Sequence, residues 1–329
     1  MKGDAMAFTR FHPEATPTAR IGLGLAAVGR PGYLNLGRAA DLPAERTPEA
    51  LRERTHRLLD AAFTQGVRYV DAARSYGRSE EFLAGWLDSR AEAAKELVVG
   101  SKWGYTYTAD WRTEADVHEV KDHSAATLDR QHAETTALLG ARLDLYQIHS
   151  VTPASPALSD PAVHARLARL VEDGVSVGLS TSGPAQAEAI RAALEITVAG
   201  RPLFTTVQAT FNLLEPSAAP ALAEAHEAGR TVIVKEALAN GRLAGEAAPP
   251  ELLRLAQETA TSADAVALAA VLAQPWAGIV LSGAATVAQL NDNVAAAGLS
   301  LDPAPLTSLA RLVETPETYW RTRAALPWR

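Results

Sequence analysis

Eight short apolar runs alternate with segments of helical spacing along this chain of 329 residues. Most of the runs are continuous rather than alternating in polarity, which is typical of parallel strands buried on both faces. Several of the helical segments end in glycine, the usual residue at a helix stop. The alternation predicts a (β/α)8 TIM barrel of the α/β class in a single domain, with a doubly wound sheet as the alternative. The runs lie at residues 21–28, 67–73, 96–102, 143–150, 175–181, 205–211, 231–237 and 277–284.

The composition is typical of a folded, water-soluble protein, with 47% hydrophobic and 21% charged residues. A formal net charge of -7 argues against binding to nucleic acid, which requires clustered Lys and Arg. The chain has no cysteine, so disulfides, thiolate zinc sites and a catalytic thiol are excluded, and a cytoplasmic location fits. It also lacks an apolar run of about eighteen residues and a secretion-type leader, which predicts a protein that is neither exported nor membrane-spanning.

Two connections are longer than the others and follow strands. They span residues 29–50 and 103–121, and in a barrel both would rise over the carboxyl-terminal mouth, where active sites are built. Their aromatic residues indicate an aromatic-lined entrance, although aromatic loop residues also serve in packing. Residues 1–19 are predicted to form a lead-in, and residues 20–329 the barrel. The aromatic residues of the two connections are Tyr33, Trp103, Tyr105, Tyr107 and Trp111.

Polar side chains fall where the predicted strands end. Because the carboxyl ends of barrel strands meet at one mouth, these side chains are expected to converge on one pocket. Each of them also has a structural interpretation, as a turn, packing or core residue, but the set as a whole favours function. The polar residues are Asp71, Lys102, His149, Ser180, Thr181 and Gln208, with Tyr76 in the loop just after Asp71.

One carboxylate, one amine, one imidazole and one phenol together suit proton transfer to a carbonyl oxygen. A free phenol has a pKa of about 10, and a neighbouring ammonium lowers it. A buried ammonium in turn requires a carboxylate to stay charged. We therefore expect Asp71 to hold Lys102, Lys102 to lower the pKa of Tyr76, and Tyr76 to act as the acid. His149 would orient or polarise the substrate oxygen.

Six ordered motifs give the chain a family resemblance. It resembles the aldo-keto reductase superfamily, whose members are (β/α)8 barrels that use a nicotinamide cofactor. Any one motif is weak, whereas the ordered set is specific and extends over most of the chain. The motifs are IGLG at 21–24, DAARSYG at 71–77, Lys102 in VVGSK, His149 in LDLYQIHS, Gln208 in VQATFN, and SGAATVAQLNDN at 282–293.

The resemblance implies an NAD(P)H-dependent oxidoreductase acting on a small aldehyde, ketone or sugar carbonyl, or on the corresponding alcohol. Asp71, Tyr76, Lys102 and His149 would form a catalytic tetrad, with hydride passing from the nicotinamide while Tyr76 protonates the oxygen. Tyr33 and Trp103 would contact the substrate, and no metal is implied. The cofactor contacts would be Gly24, Leu25, Ser180, Thr181, Gln208, Lys235, Leu238, Ser282, Gly283, Ala284, Thr286, Gln289, Asp292 and Asn293.

The chain departs from the family pattern at three places. Ser180 and Thr181 stand where members often have Ser-Asn, and a hydroxyl replaces only part of what an amide offers. Lys235 and Glu236 stand where many members stack an aromatic residue on the nicotinamide. We hypothesise that Lys235 contacts the ribose or phosphate region of the cofactor, the alternative being a structural pair with Glu236. In the last loop Ala285 offers no basic side chain, so NADP is expected from the family while NAD is possible.

Other functional classes lack their motifs. The stretch IGLGLAAVG lacks the spacing of a G-x-G-x-x-G dinucleotide fingerprint, and the chain has no P-loop and no H-E-x-x-H motif. Nucleoside triphosphate and metal chemistry therefore have little support. The alternative to a working reductase is a catalytically slow cofactor-binding module or redox sensor on the same barrel.

Overall fold

Eight parallel strands close into a barrel in the computed structural model, which describes residues 16, 18–34, 36, 41–42, 46–301, 307 and 309–328. The predicted (β/α)8 barrel is confirmed, and ring closure excludes the doubly wound sheet. Most of the predicted lead-in and parts of the connection 29–50 lie outside the described residues. The strands are β1 (Ile21–Gly24), β2 (Tyr69–Asp71), β3 (Val98–Trp103), β4 (Leu145–Val151), β5 (Ser176–Thr181), β6 (Thr206–Thr210), β7 (Thr231–Lys235) and β8 (Ile279–Ser282).

Every barrel strand lies within or beside the apolar run that predicts it. The first strand closes the ring because it pairs with two partners, with Ile21 opposite Val280 of β8 and Gly24 opposite Asp71 of β2. These strands are buried along almost their whole length, which explains why their sequences are continuously apolar.

Helices surround the barrel on its outer face. The first begins after Thr47, whose hydroxyl accepts a hydrogen bond from the amide of Ala50, with Pro48 at its first position. Among the described residues the helices are α1 (Pro48–Thr64), α2 (Ser79–Ser89), α3 (Ala91–Glu96), α4 (Ala125–Leu139), α5 (Pro161–Glu172), α6 (Gln186–Leu194), α7 (Ala219–Glu227), α8 (Pro250–Glu258), α9 (Ala263–Leu272), α10 (Val287–Ala295) and α11 (Pro316–Ala324). None of these helices has both the length and the apolar character needed to cross a membrane.

The interior of the barrel contains its own small core, separate from the core under the helices. Tyr69 is its largest side chain, and two glycines make room for it. A Cβ at Gly22 would lie 2.9 Å from the Tyr69 ring, and a Cβ at Gly100 would lie 2.3 Å from its hydroxyl. The phenol of Tyr69 reaches Asp71, the last residue of β2. The other members of this core are Val98, Leu145, Ile233, Ile279 and Leu281.

The two long connections and the carboxyl terminus lie over the mouth of the barrel. Part of the connection 103–121 is an antiparallel hairpin of Tyr105–Tyr107 with Glu119–Lys121. Leu34, in the connection after β1, forms an isolated antiparallel bridge with Trp328. The connection after β1 and the segment after α11 thus meet above the strand ends.

Candidate active site

The four residues predicted to act together lie together at the mouth of the barrel. The Lys102 Nζ donates to Asp71 Oδ2, to the Ala72 carbonyl at 3.0 Å and to the Tyr76 hydroxyl at 3.4 Å. The rings of Tyr76 and His149 pack edge to face with centroids 5.4 Å apart. The arrangement places an ammonium between a carboxylate and a phenol, with an imidazole beside the phenol.

The turn after β2 places Tyr76 in this cluster. Gly77 has a φ of 60°, a left-handed conformation that glycine adopts without strain. The turn packs closely on Gly29, whose carbonyl accepts from the Arg78 amide at 2.8 Å. A Cβ at Gly29 would lie 2.3 Å from the Tyr76 carbonyl oxygen. Two glycines therefore allow the backbone approach that fixes the phenol.

Asp71 accepts hydrogen bonds from three side chains. Besides Lys102, the Tyr69 hydroxyl and the Gln208 Nε2 each donate to Asp71 Oδ1 at 3.1 Å. Both carboxylate oxygens are thus held, and the buried charge is compensated. Gln208, predicted from the resemblance to face the nicotinamide amide, also lines the cavity described below.

Burial dominates the proton affinities at this site. It raises the pKa of Tyr76 well above its usual value, and the charge of Asp71 adds to the increase. Burial also lowers the pKa of His149 well below its usual value, reinforced by the charge of Lys102. Desolvation of the phenolate is the largest cause of this shift, so the net pKa of Tyr76 is raised although the Lys102 ammonium lies beside the phenol. The lowering expected from Lys102 itself stays a prediction. At neutral pH the site holds a protonated phenol and a neutral imidazole.

One cavity joins this cluster to the last barrel loop. It extends from Tyr76 and His149 to the segment that follows β8, where Gln289 and Asn293 line it. The predicted site residues that line the cavity are Gly24, Tyr33, Asp71, Tyr76, His149, Gln208, Lys235, Leu238, Ser282, Gly283, Ala284, Gln289 and Asn293.

Seven predicted residues are not among those that line it, namely Leu25, Lys102, Trp103, Ser180, Thr181, Thr286 and Asp292. Lys102 lies directly behind Tyr76 and Asp71. The Ser180 hydroxyl accepts from the Ser150 amide at 2.8 Å, and Trp103 is buried against His123. Strand-end position alone does not decide whether a side chain reaches the cavity.

Lys235 and Glu236 both line the cavity and also belong to a structural network. The Lys235 Nζ donates to Thr210 Oγ1 at 2.9 Å and lies 3.6 Å from Glu236 Oε1. Arg323 of α11 binds the Glu236 carboxylate, with Nε 2.8 Å from Oε2. Burial lowers the pKa of Lys235 to about 8. Although burial alone would raise the pKa of Glu236, Arg323 and Lys235 lower it to about 2.

The cavity also has lining residues that the sequence analysis did not identify. Arg30 lies over the Tyr76 ring at 5.4 Å and donates to the Ser75 carbonyl and to Glu119. Trp328 stacks on His118 with centroids 4.2 Å apart. No motif marks these residues, since they belong to connections and to the chain end. The other unpredicted lining residues with polar side chains are Asp41, Glu119, Ser150, Asn240, Asp264 and Arg323.

The lining suits a polar ligand of the nicotinamide dinucleotide class. Two buried side-chain oxygens, Asn240 Oδ1 and Asn293 Oδ1, have no hydrogen-bond partner among the described residues, and both residues line the cavity. A buried acceptor without a partner costs free energy unless a ligand or water satisfies it. These acceptors could receive amino or hydroxyl groups of a nucleotide. The residues present therefore fit such a cofactor.

Comparisons with known proteins agree with this structure. The Aldo/keto reductase family matches residues 20–314. Aldo-keto reductase str7 of Strobilurus tenacellus is 25% identical, covering 92% of this chain and 93% of its own length. In fold alone, the chain resembles the holo form of an aldo-keto reductase from Bacillus halodurans, with a TM-score of 0.67 and 20% identity over 91% of this chain and 94% of the other. It likewise resembles a glycerol dehydrogenase from Gluconobacter oxydans, with a TM-score of 0.67 and 22% identity over 89% and 90%.

The family match covers all eight barrel strands, from the residue before β1 to residue 314, just before α11. The closed ring of parallel strands is the architecture that the match implies. The resemblance read from the sequence motifs is confirmed. The chain belongs to the aldo/keto reductase family and is an NAD(P)-dependent oxidoreductase.

Proposed function

We propose that the enzyme reduces a small aldehyde, ketone or sugar carbonyl, or oxidises the corresponding alcohol, with Tyr76 as the general acid and base. The observation that carries this proposal is the position of Lys102 between Asp71 and Tyr76, with the His149 ring against the phenol. Such a cluster at the mouth of a barrel is suited to proton transfer beside a cavity.

The bound nicotinamide would supply or accept the hydride. The chain's own residues would handle the proton. Because burial raises the pKa of Tyr76, its phenol keeps the proton until the substrate oxygen gains negative charge. His149, kept neutral by burial, would orient that oxygen next to the phenol. Lys102, held by Asp71, would stabilise the phenolate that proton donation leaves behind.

The walls beside Tyr76 support a hydrophilic substrate. Arg30 and Glu119 form an ion pair that lines the cavity, and Lys235 and Glu236 line it close by. Tyr33 also lines the cavity and is the better supported of the two predicted substrate contacts, because Trp103 is buried elsewhere. Charged and hydroxyl groups around the reacting position favour a carbonyl compound that carries further hydroxyl groups.

The proposed cofactor contacts are the predicted residues that line the cavity, from Gly24 at the end of β1 to Asn293 in α10. Among these residues, Lys235 gives the most informative test. Its ammonium is buried beside the cavity, so Lys235→Ala is expected to weaken dinucleotide binding about tenfold and to lower turnover. Fluorescence titration measures the affinity, and the exposed Lys95→Ala is the control. Unchanged affinity and turnover in Lys235→Ala would leave the lysine a structural role only.

The experiment that tests the proposed function combines binding with turnover. Purified protein is titrated with NADH and NADPH and then assayed at 340 nm with a panel of aldehydes, ketones and aldoses, and with the matching alcohols and oxidised cofactors. We expect binding together with turnover of at least one hydroxylated carbonyl compound. Binding without turnover on any substrate would support the alternative, a cofactor-binding module. That alternative is favoured by one feature of the sequence, because Lys235 and Glu236 stand where many members have an aromatic residue.

A further inference from the structure

The end of the cavity beside Gln289 and Asn293 is lined by acidic side chains. The Asp41 Oδ2 accepts from the Gln289 Nε2 at 2.7 Å, and both residues line the cavity together with Asn293. Asp264, almost fully buried in the first turn of α9, lines it as well. Under the proposed function this is the end that would hold the adenosine half of the dinucleotide, on which the following inference rests.

The acidic groups are close enough to affect one another. Burial raises the pKa of Asp264, and the charges of Asp292 and Asp41 raise it further. The Asp264 Oδ1 accepts from the Gly245 amide at 2.8 Å, which is the compensating contact. Asp292 is exposed at the rim beside Asn293. Any additional anion bound here would approach at least two carboxyl groups.

No basic side chain among the described lining residues counters these acids. The described Lys and Arg residues of the lining are Arg30, Lys235 and Arg323, and they surround Tyr76 and Glu236 instead. Arg54 is a basic residue that contacts the acidic end. Its Nη1 donates to the carbonyls of Asp41 at 3.0 Å and of Ala285 at 3.1 Å, and Arg54 does not line the cavity.

The polar groups at the start of α10 are also occupied. The Thr286 hydroxyl caps the helix by accepting from the Gln289 amide at 3.1 Å. The Gln289 Oε1 accepts from the Ala285 amide at 2.9 Å. The side chain of Asn293 is different, because its Oδ1 is buried and has no partner among the described residues. Among these side chains the unpaired group is therefore an acceptor and not a donor.

NAD and NADP differ only at the 2'-position of the adenosine ribose. NADP carries a phosphate there, with close to two negative charges at neutral pH, and this group requires cations or several donors. NAD carries a hydroxyl, which donates readily to a carboxylate. We propose that the Asp41 carboxylate accepts the 2'-hydroxyl of NAD and, with Asp264, repels the 2'-phosphate of NADP, so that the enzyme is selective for NAD(H). This selectivity would depart from the NADP that the family resemblance implies.

The test measures binding and does not depend on a substrate. NADH and NADPH are titrated separately against the full chain by tryptophan quenching and calorimetry. We expect NADH to bind at least about tenfold more tightly than NADPH. In Asp41→Asn, which keeps an acceptor for Gln289, the NADPH affinity should rise and the preference should shrink. Asp129→Asn, an equal charge change on α4 that pairs with Arg166 outside the cavity, is the control.

Several outcomes would overturn the proposal. One is equal or tighter binding of NADPH than of NADH by the wild type. Another is an unchanged ratio of NADH to NADPH affinity in both Asp41→Asn and Asp264→Asn, when circular dichroism shows that both variants are folded. A loss of NADPH binding in Arg54→Gln without effect on NADH would assign Arg54 to a 2'-phosphate and overturn it too. Failure to bind either dinucleotide would instead refute the proposed function and, with it, this inference.

Discussion

The Tyr76 phenol is in contact with an ammonium and next to a carboxylate, yet its burial determines its proton affinity. The direction of this pKa shift affects which direction of the reaction is favoured at neutral pH. Because its pKa is raised, the phenol is protonated at neutral pH and can donate a proton in carbonyl reduction, whereas alcohol oxidation requires the phenolate. The two directions should therefore respond oppositely to pH.

The pH dependence of the two directions is the first prediction. The rate of alcohol oxidation, as kcat/KM, should rise with pH up to at least the free phenol value of 10.0, because the pKa of Tyr76 is raised above it. Carbonyl reduction should stay high through neutral pH and fall only in the alkaline range. Steady-state profiles with a pH-insensitive alcohol measure both. A plateau of oxidation below pH 8 would show that the phenol is more acidic than its burial implies.

Tyr69 is a positioning residue that can be tested in isolation. Tyr69→Phe removes one of the donors to Asp71 and keeps the ring in the barrel core, so kcat should fall by about tenfold without change in cofactor affinity. Stopped-flow hydride transfer and dinucleotide titration measure the two quantities. The control is Tyr146→Phe, whose buried hydroxyl lies beside Thr135 and not on Asp71. Equal effects of the two substitutions would argue for a general packing defect.

Some site residues can be predicted from sequence and others cannot, for a physical reason. Asp71, Lys102 and His149 lie at successive strand ends, and parallel strands in a ring bring those ends together whatever the loops do. Asp41 and Arg323 lie in segments whose course depends on contacts with distant parts of the chain. The direction of the Tyr76 pKa shift is also hidden, because the depth of burial is a property of the assembled mouth.

At the scale of elements, the strands and most helices follow from apolar periodicity, and three helices do not. Helix α9 (ADAVALAAVL) is buried on nearly all sides, so its sequence has no polar face that would mark a surface helix. Helix α11 buries only Tyr319 and Trp320, which leaves too few apolar positions to show a stripe. Helix α3 buries none of its residues, so it has no apolar stripe that could mark it.

An ion pair between Arg323 and Glu236 connects helix α11 to the site, and a substitution of Arg323 removes it. Arg323→Gln leaves the buried Glu236 carboxylate without its bidentate partner, and the free energy of unfolding should fall by about 3–5 kcal/mol. The exposed pair of Arg191 with Glu224 is the matched control, for which Arg191→Gln should leave the free energy of unfolding almost unchanged. Urea unfolding measures both. Equal losses would mean that burial does not distinguish the two pairs.

At the scale of the molecule, the cavity is assembled from both ends of the chain. Gly24, at the end of the first strand, and Trp328, next to the last residue, line the same space. The residues between them reach it only because the eighth strand returns to the first. The function therefore depends on ring closure, which the sequence predicts through the count and order of its apolar runs.

Acid should weaken the whole structure in a defined range. The pKa of Glu236 is lowered from 4.5 to about 2, so its contribution to stability is fully present above pH 4.5 and is lost as the pH falls towards 2. The free energy of unfolding of the wild type should therefore decline over that interval. Glu236→Gln should show a shallower decline in parallel urea titrations. Identical slopes would indicate that other carboxyl groups control the acid response.

Proton donation by Tyr76 is the central step of the proposed reaction, and a single substitution removes it. Tyr76→Phe is compared with the wild type for dinucleotide affinity and for the single-turnover rate of carbonyl reduction with the more tightly bound reduced cofactor. We predict an unchanged dissociation constant and a reduction rate lower by about 10²–10⁴-fold, the range of general acid catalysis. A Tyr76→Phe enzyme that binds the cofactor and reduces the carbonyl at the wild-type rate would contradict the account.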